Sequence, residues 1–221
     1  MNYPKKIAMA VIGLIGFSIG TFLVIHANIG ISPWDVLVMG IRARTGMLYG
    51  TVTILIGAGI MVVDLLLGEK LGFGTIVDVA IVGKTVDLLQ WLDFVPPPEN
   101  FAIAMTMLFC GIAILGSSIA LYMKAGLGCG PRDALMLVLG KRLKRVSVGV
   151  ARNAMDLSAL LLGWLLGGGP VGIGTVAMVL LLGPTISLSC KLLRFDSTTV
   201  RHESLLETFS NMKKALNKQR D

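Results

Sequence analysis

Charge is scarce in this chain. Asp, Glu, Lys and Arg together make up 15% of 221 residues, whereas apolar residues make up 54%. Such a balance excludes an ordinary soluble domain. A mean hydropathy of +0.79 and several long apolar runs point instead to a polytopic membrane protein. Histidine is almost missing: His26 sits at the end of the first apolar run and His202 in the tail, so His26 reads as an interfacial residue. Three cysteines, Cys110, Cys129 and Cys190, share no metal-ligand spacing, and Cys110 and Cys190 lie in apolar runs as packing residues. No metal and no cofactor is expected. The sequence also lacks Gly-x-Ser-x-Gly, His-Glu-x-x-His, a P-loop and Cys-x-x-Cys, which argues against an enzyme and excludes a transport ATPase for this chain alone. The formal charge of +7 gathers at Lys5-Lys6, Arg42, Arg44, Lys141 to Arg145 and the last thirty residues. Positive charge falls this way around membrane helices, so nucleic acid is not an expected partner.

What the chain does contain is an echo. Ile29-Gly30-Ile31-Ser32-Pro33-Trp34-Asp35-Val36-Leu37 returns as Leu127-Gly128-Cys129-Gly130-Pro131-Arg132-Asp133-Ala134-Leu135, with Gly, Pro, Asp and Leu each repeated 98 positions on. A second block agrees: Leu71-Gly72-Phe73-Gly74-Thr75-Ile76 answers Val171-Gly172-Ile173-Gly174-Thr175-Val176 at an offset of 100. Two blocks in register indicate a duplicated unit. Each motif places a glycine, then a proline where a helix can begin, then an aspartate in the first turn, facing the positive end of the helix dipole.

The spacing predicts an all-α polytopic protein in two repeats. The first, residues 1–95, holds apolar spans at 7–27, 49–67 and 71–92, and a short helix from Pro33 to Arg44. The first span is too long for a cleaved leader and no Ala-x-Ala site follows it, so it is read as retained. Its Gly13, Gly16 and Gly20 share one face and suit close helix packing. The proline run of residues 96–100 is the linker. The second repeat, 101–193, holds spans at 101–123, 149–167 and 171–193 and a short helix from Pro131 to Lys144. Residues 194–221 form a basic tail, read either as an amphipathic helix on the cytoplasmic leaflet, with Leu205, Leu206, Phe209, Met212 and Leu216 on one face, or as a solvated segment.

The short helices decide the topology. A dozen residues reach roughly 18 Å, short of the ~30 Å hydrocarbon core. If they do not cross, each half has three spans and the second half is inverted: six full transmembrane helices plus two half-helices. If they do cross, eight crossings arrange the repeats in parallel. With the N-terminus cytoplasmic, the inverted scheme leaves Arg42 and Arg44 outside, while the parallel one leaves Lys70, Lys124 and Arg132 outside. Helix length favours inversion.

Two residue sets are candidates for function. The motif residues Asn28, Gly30, Pro33, Trp34, Asp35, Gly128, Cys129, Pro131, Arg132 and Asp133 form the substrate-binding set. Half-length helices bring backbone N–H groups and a positive dipole end into the membrane, as duplicated carriers do around a midplane substrate. Trp34 would stack on a flat ligand and Arg132 would pair with an anionic one. The architectural alternative is that Pro and Asp only start and cap two short helices, with Trp34 in an interfacial belt and Arg132 at head groups. The second set is ion-coupling: Asp78, Lys84, Asp87, Arg152 and Asp156, charges within apolar spans. Lys84 with Asp87, and Arg152 with Asp156, are also spaced to neutralise each other on a helix.

The paired Gly-x-x-Pro-Trp-Asp-x-Leu and Gly-x-Gly-Pro-Arg-Asp-x-Leu motifs, the Gly-x-Gly-Thr blocks and the length resemble bacterial YczE/YyaS/YitT-type integral membrane proteins, closest to the YczE branch, over residues 7–193. The resemblance implies a multi-span protein of the bacterial cytoplasmic membrane and no particular reaction. The residues themselves suggest a small secondary transporter for a small polar or anionic metabolite held between the two half-helix N-termini, with both chain termini cytoplasmic and the lipid bilayer as its surroundings. The alternative is a non-transporting membrane component that docks or regulates a cytoplasmic partner enzyme; a homo-oligomer is compatible with either.

Overall fold

The computed structural model describes residues 3–68, 72–128, 130–132, 134–135 and 148–195. Among them are seven helices and no strand: α1 Tyr3–Ala27, α2 Pro33–Thr45, α3 Tyr49–Leu66, α4 Phe73–Leu92, α5 Phe101–Ala125, α6 Val148–Leu165 and α7 Ile173–Leu192. Of the predicted short helix from Pro131 to Lys144, the described residues Pro131, Arg132, Ala134 and Leu135 are helical. The predicted amphipathic tail lies outside the described residues.

Local chemistry sets the boundaries. Ser32 caps α2, Pro33 takes its first turn, and Gly46 at φ 71° closes it. Asn100 caps α5, its side chain accepting from the Ile103 amide at 2.9 Å. The proline run before it stops α4 from continuing. The first helix starts at Tyr3 rather than at residue 7, because Lys5 and Lys6 are good helix formers although they are not apolar.

The spine is α1 against α5. Gly13 lies on Tyr122, Gly16 on Ser118, and Gly20 on Leu115 and Gly111. Numbers rise along one helix as they fall along the other, so the two run antiparallel. A Cβ on Gly13 would come within 2.9 Å of Tyr122, the close approach expected of this glycine face. On one flank α4 packs on α1, with Ser18 Oγ reaching the Val82 carbonyl at 3.5 Å. Helix α3 runs antiparallel to α4, Gly50 meeting Gly83 and Gly57 meeting Val79. On the other flank α7 runs parallel to α5, Gly116 meeting Thr185 and Ser117 meeting Ser189. Helices α2 and α6 cross where Gly40 meets Gly163.

The polarity of the bundle is that of a membrane protein. Ser18, Thr21, Asp35, Thr53, Asp64, Thr75, Thr175 and Ser189 are buried, whereas Leu55, Val62, Leu66, Val176, Leu180 and Leu188 are exposed. A continuous apolar exterior of this kind needs lipid. Four helices, α1, α3, α5 and α7, are long and apolar enough to cross a bilayer. Helices also lie where the fifth and sixth spans were expected, α4 and α6, at 20 and 18 residues, but neither is among the four apolar enough to cross: α4 carries Asp78, Lys84 and Asp87, and α6 carries Arg152 and Asp156.

The two ends differ. Trp91, Phe94, Phe101 and Trp164 are exposed at the end that holds the C-terminus of α1 and the linker, as interfacial aromatics are. At the opposite end Lys124 Nζ donates to the Leu193 carbonyl at 2.9 Å, beside Lys5, Lys6, Lys191 and Arg194.

Candidate functional site

Each motif carries a glycine whose backbone angle disfavours any side chain. Gly30 has φ 130° and Gly128 φ 137°, a backbone region that side chains rarely enter. What these loops touch is reciprocal. The Ile29 carbonyl accepts from the Gly174 amide at 2.9 Å, and the Leu127 carbonyl accepts from the Gly74 amide at 2.7 Å. The first motif is therefore anchored on the Gly-x-Gly-Thr block of the second half, and the second motif on that of the first. The loops reach the N-termini of α7 and α4, where backbone N–H groups lack helical partners and supply the donors.

Beyond Gly30 the chain enters α2 through a reciprocal cap. Ser32 Oγ donates to Asp35 Oδ2 at 2.6 Å, and the Asp35 amide donates back to Ser32 Oγ at 3.3 Å. The Ser-x-x-Asp spacing puts the carboxylate within reach of the capping hydroxyl. The other carboxylate oxygen, Asp35 Oδ1, accepts from the Tyr49 hydroxyl at 2.7 Å. Asp35 and Tyr49 are 6% and 2% exposed. Both oxygens of Asp35 are thus engaged, Oδ2 within the cap of α2 and Oδ1 in holding that helix start to the start of α3. This gives Asp35 a positioning role.

Trp34 is held from another direction. Its Nε1 donates to Asp156 Oδ1 at 2.8 Å across 122 residues of sequence, and Asp156 Oδ2 lies 3.9 Å from Arg152 Nε. The guanidinium of Arg132 lies over the Trp34 ring, 4.7 Å from its centroid. Trp34 and Arg132 are the same position of the two motifs. The motif helices thus bring their starts together, with a cation on an indole face and an acid behind the indole. Among the described residues Arg132 makes no ion pair, and no group of three or more His, Cys, Asp or Glu side chains is placed to hold a metal.

The structure thus gathers Trp34, Asp35, Arg132, Arg152 and Asp156 around the starts of the motif helices, with Pro33 and Pro131 buried beside them. Arg152 and Asp156, placed in the ion-coupling set as charges within an apolar span, belong to this group. Asn28 does not: it is exposed at φ 53° and lines a separate cavity at the end of α1. Cys129 and Asp133 lie outside the described residues.

The α4 charges disperse. Asp78 is half-buried near the start of that helix, whereas Lys84 is exposed. The suggested Lys84–Asp87 pair does not form. Asp87 Oδ1 instead accepts from the Gly50 amide at 2.8 Å, capping α3, whose own N-cap residue Leu48 offers no side-chain bond. The Gly50–Gly83 contact brings that amide within reach. Two contributors, Ser32 and Tyr49, were absent from the candidate set. Ser32 was findable from its Ser-x-x-Asp spacing; Tyr49 carries no local signal.

Comparison with known proteins places the chain among uncharacterised membrane proteins. An uncharacterised protein of Haemophilus influenzae is 34% identical, over 82% of each chain. The uncharacterised membrane protein YczE of Bacillus subtilis is 30% identical over 80% of this chain and 81% of its own. YyaS of the same bacterium is 28% identical over 78% and 86%. No solved structure matches. The family model DUF6198, a family of unknown function, matches residues 4–191, and the chain belongs to that family.

Proposed function

We propose that this protein is a small secondary carrier of the bacterial cytoplasmic membrane, which binds a small anionic or polar metabolite between the starts of its two motif helices. The observation that carries the reading is the meeting of Trp34 and Arg132 at 4.7 Å. A cation is placed there inside a membrane bundle, beside the positive end of α2 and with no carboxylate on it among the described residues. Charges at such depth are costly and mark solute paths. Helix N-termini at a bundle centre attract anionic groups.

The same reading takes the chain as an internal duplication with inverted halves, six crossing helices and two half-length ones. The antiparallel course of α1 and α5 supports it, since each carries a motif at its C-terminal end. So do the reciprocal junctions of Ile29 with Gly174 and Leu127 with Gly74. Helix α2, with 13 residues, spans about 20 Å, too little for a bilayer of ~30 Å. The lysine-rich end bearing Lys5, Lys6, Lys124, Lys191 and Arg194 is taken as cytoplasmic, following the positive-inside rule. Both termini then face the cytoplasm.

The test is thermal stabilisation of the purified protein across a panel of small organic and inorganic anions, with Arg132→Ala alongside, because a ligand of the folded state raises the midpoint with concentration. A hit lost in Arg132→Ala and then carried across proteoliposomes supports the carrier. A hit that binds yet is never transported sinks it and favours a non-transporting component that docks a partner enzyme.

A further inference from the structure

A second site lies at the end of α1, sharing only Asn28 and Ile29 with the first motif stretch. Where α1 ends, a cavity of about 750 Å³ opens between α1, α2, the end of α4 and the start of α5, roofed by Pro97 and Pro98 of the linker. This volume suits a small organic molecule. Its lining is mostly apolar: Phe22, Ile25, Met39 and Phe101 contribute, and Phe22 is 3% exposed. Among the polar residues of its wall, two stand out. His26, its ring 5.3 Å from that of Phe22, has its Nε2 buried with no hydrogen-bond partner. Arg42 gives one bond, from Nη1 to Gln90 Oε1 at 3.1 Å, and makes no ion pair among the described residues. Neither feature is explained by packing. A buried ring nitrogen left without a partner is costly, and a guanidinium has donors to spare after one bond.

We infer that this cavity binds a small monocarboxylate with an apolar body. The carboxylate accepts from the free edge of Arg42 and from His26 Nε2–H, and the apolar body lies against Phe22 and Met39. Arginine suits a carboxylate because its planar fork presents parallel donors. Asp93 stands at the exposed rim of the same cavity, and its charge disfavours a second carboxylate on the ligand. The inference does not rest on the carrier reading, since neither Trp34 nor Arg132 lines the cavity.

The experiment uses the full-length protein in lipid nanodiscs and thermal unfolding against phenylacetate, with 2-phenylethanol as its uncharged analogue and phthalate as a dianion. Millimolar phenylacetate is expected to raise the midpoint, and the alcohol and the dianion to do so much less. Arg42→Gln and His26→Phe, the latter keeping a ring on Phe22, are each expected to weaken apparent affinity by at least about tenfold. Lys84→Gln, which also removes one positive charge, is expected to leave it unchanged. If Arg42→Gln does not fold, His26→Phe decides alone. The inference is overturned by no stabilisation with phenylacetate, by equal stabilisation with the alcohol, or by affinity unchanged in His26→Phe. A shift lost in Arg132→Ala but kept in Arg42→Gln would also overturn it, by placing the anion at the motifs.

Discussion

The two motifs say the same thing in sequence and do different things in space. Around the first, every polar group is tied down: Ser32 and Asp35 cap each other, Tyr49 clamps the carboxylate, and Asp156 holds the indole of Trp34. The second has Gly130 where the first has Ser32, and Ser147 where the first has Tyr49, at the same offset of 98. Gly130 has no side chain to give that cap, and the second motif contributes the cation that lies on Trp34. One copy is the frame and the other brings the charge to it. The junctions beneath them differ in the same direction. A Cβ on Gly30 would sit 2.5 Å from the Thr175 amide nitrogen and 2.9 Å from that of Gly174, whereas a Cβ on Gly128 would sit 3.1 Å from Gly72 Cα.

The largest expected effect follows from those distances. Gly30→Ala suffers both a forbidden backbone angle and a collision with backbone that cannot step aside. It is expected to cost at least about 3 kcal/mol, and no folded protein is expected at growth temperature. Gly128→Ala has a similar angle, but its neighbours need to give by only a few tenths of an ångström, so about 1–2 kcal/mol is expected. Unfolding midpoints of the two variants in one detergent make the comparison. Equal losses would mean that the tighter junction is not the firmer one.

The clamp comes next. Asp35→Ala leaves the Tyr49 and Ser32 hydroxyls without their shared acceptor and removes the acid from the first turn of α2, for an expected loss of about 2–3 kcal/mol. Tyr49→Phe removes one neutral donor from an otherwise capped carboxylate and is expected to cost about 1 kcal/mol. Because the two groups share one hydrogen bond, the double variant should fall short of the sum. Full additivity of the midpoints would show that the 2.7 Å contact carries little energy, and the frame around the first motif would lose its basis.

Much of this is legible in the sequence alone. Apolar runs place α1 to α7 within a few residues, because a membrane helix must be apolar along its length. The Ser-x-x-Asp cap, the glycine face of α1 and the i, i+4 spacing of Arg152 and Asp156 are local patterns, and local patterns survive in a sequence. What periodicity cannot convey is which helix meets which. Both Gly-x-Gly-Thr blocks stand out as repeats, yet nothing in them says that each receives the motif of the other half. Asp156 reads as a partner for Arg152 four residues away, and its second partner, Trp34, lies 122 residues off. The orphaned Nε2 of His26 belongs to the same class. Its burial is produced by elements that meet only in three dimensions.

Asp87 gives the smallest expected effect and tests the same lesson at a single carboxylate. By spacing it is a partner for Lys84 on the next turn; by contact it is the cap of α3, at 2.8 Å from the Gly50 amide. The two roles predict different variants to matter. As a cap, Asp87→Ala removes the acceptor for an N-terminal amide of α3 and is expected to lower stability by about 1 kcal/mol, with Asp87→Asn recovering part of it because an amide oxygen still accepts. Lys84, exposed and outside that bond, should tolerate replacement by Gln within about 0.5 kcal/mol. As an ion pair, Lys84→Gln and Asp87→Ala would cost alike and Asn would recover nothing. Midpoints for the three variants separate the cases, and screening by salt adds a check: a capping bond to a packed helix start is little affected, whereas an exposed pair weakens. The close approach of Gly50 to Gly83 decides between them, since a helix start pressed against α4 leaves its amides no partner but the carboxylate one turn further on.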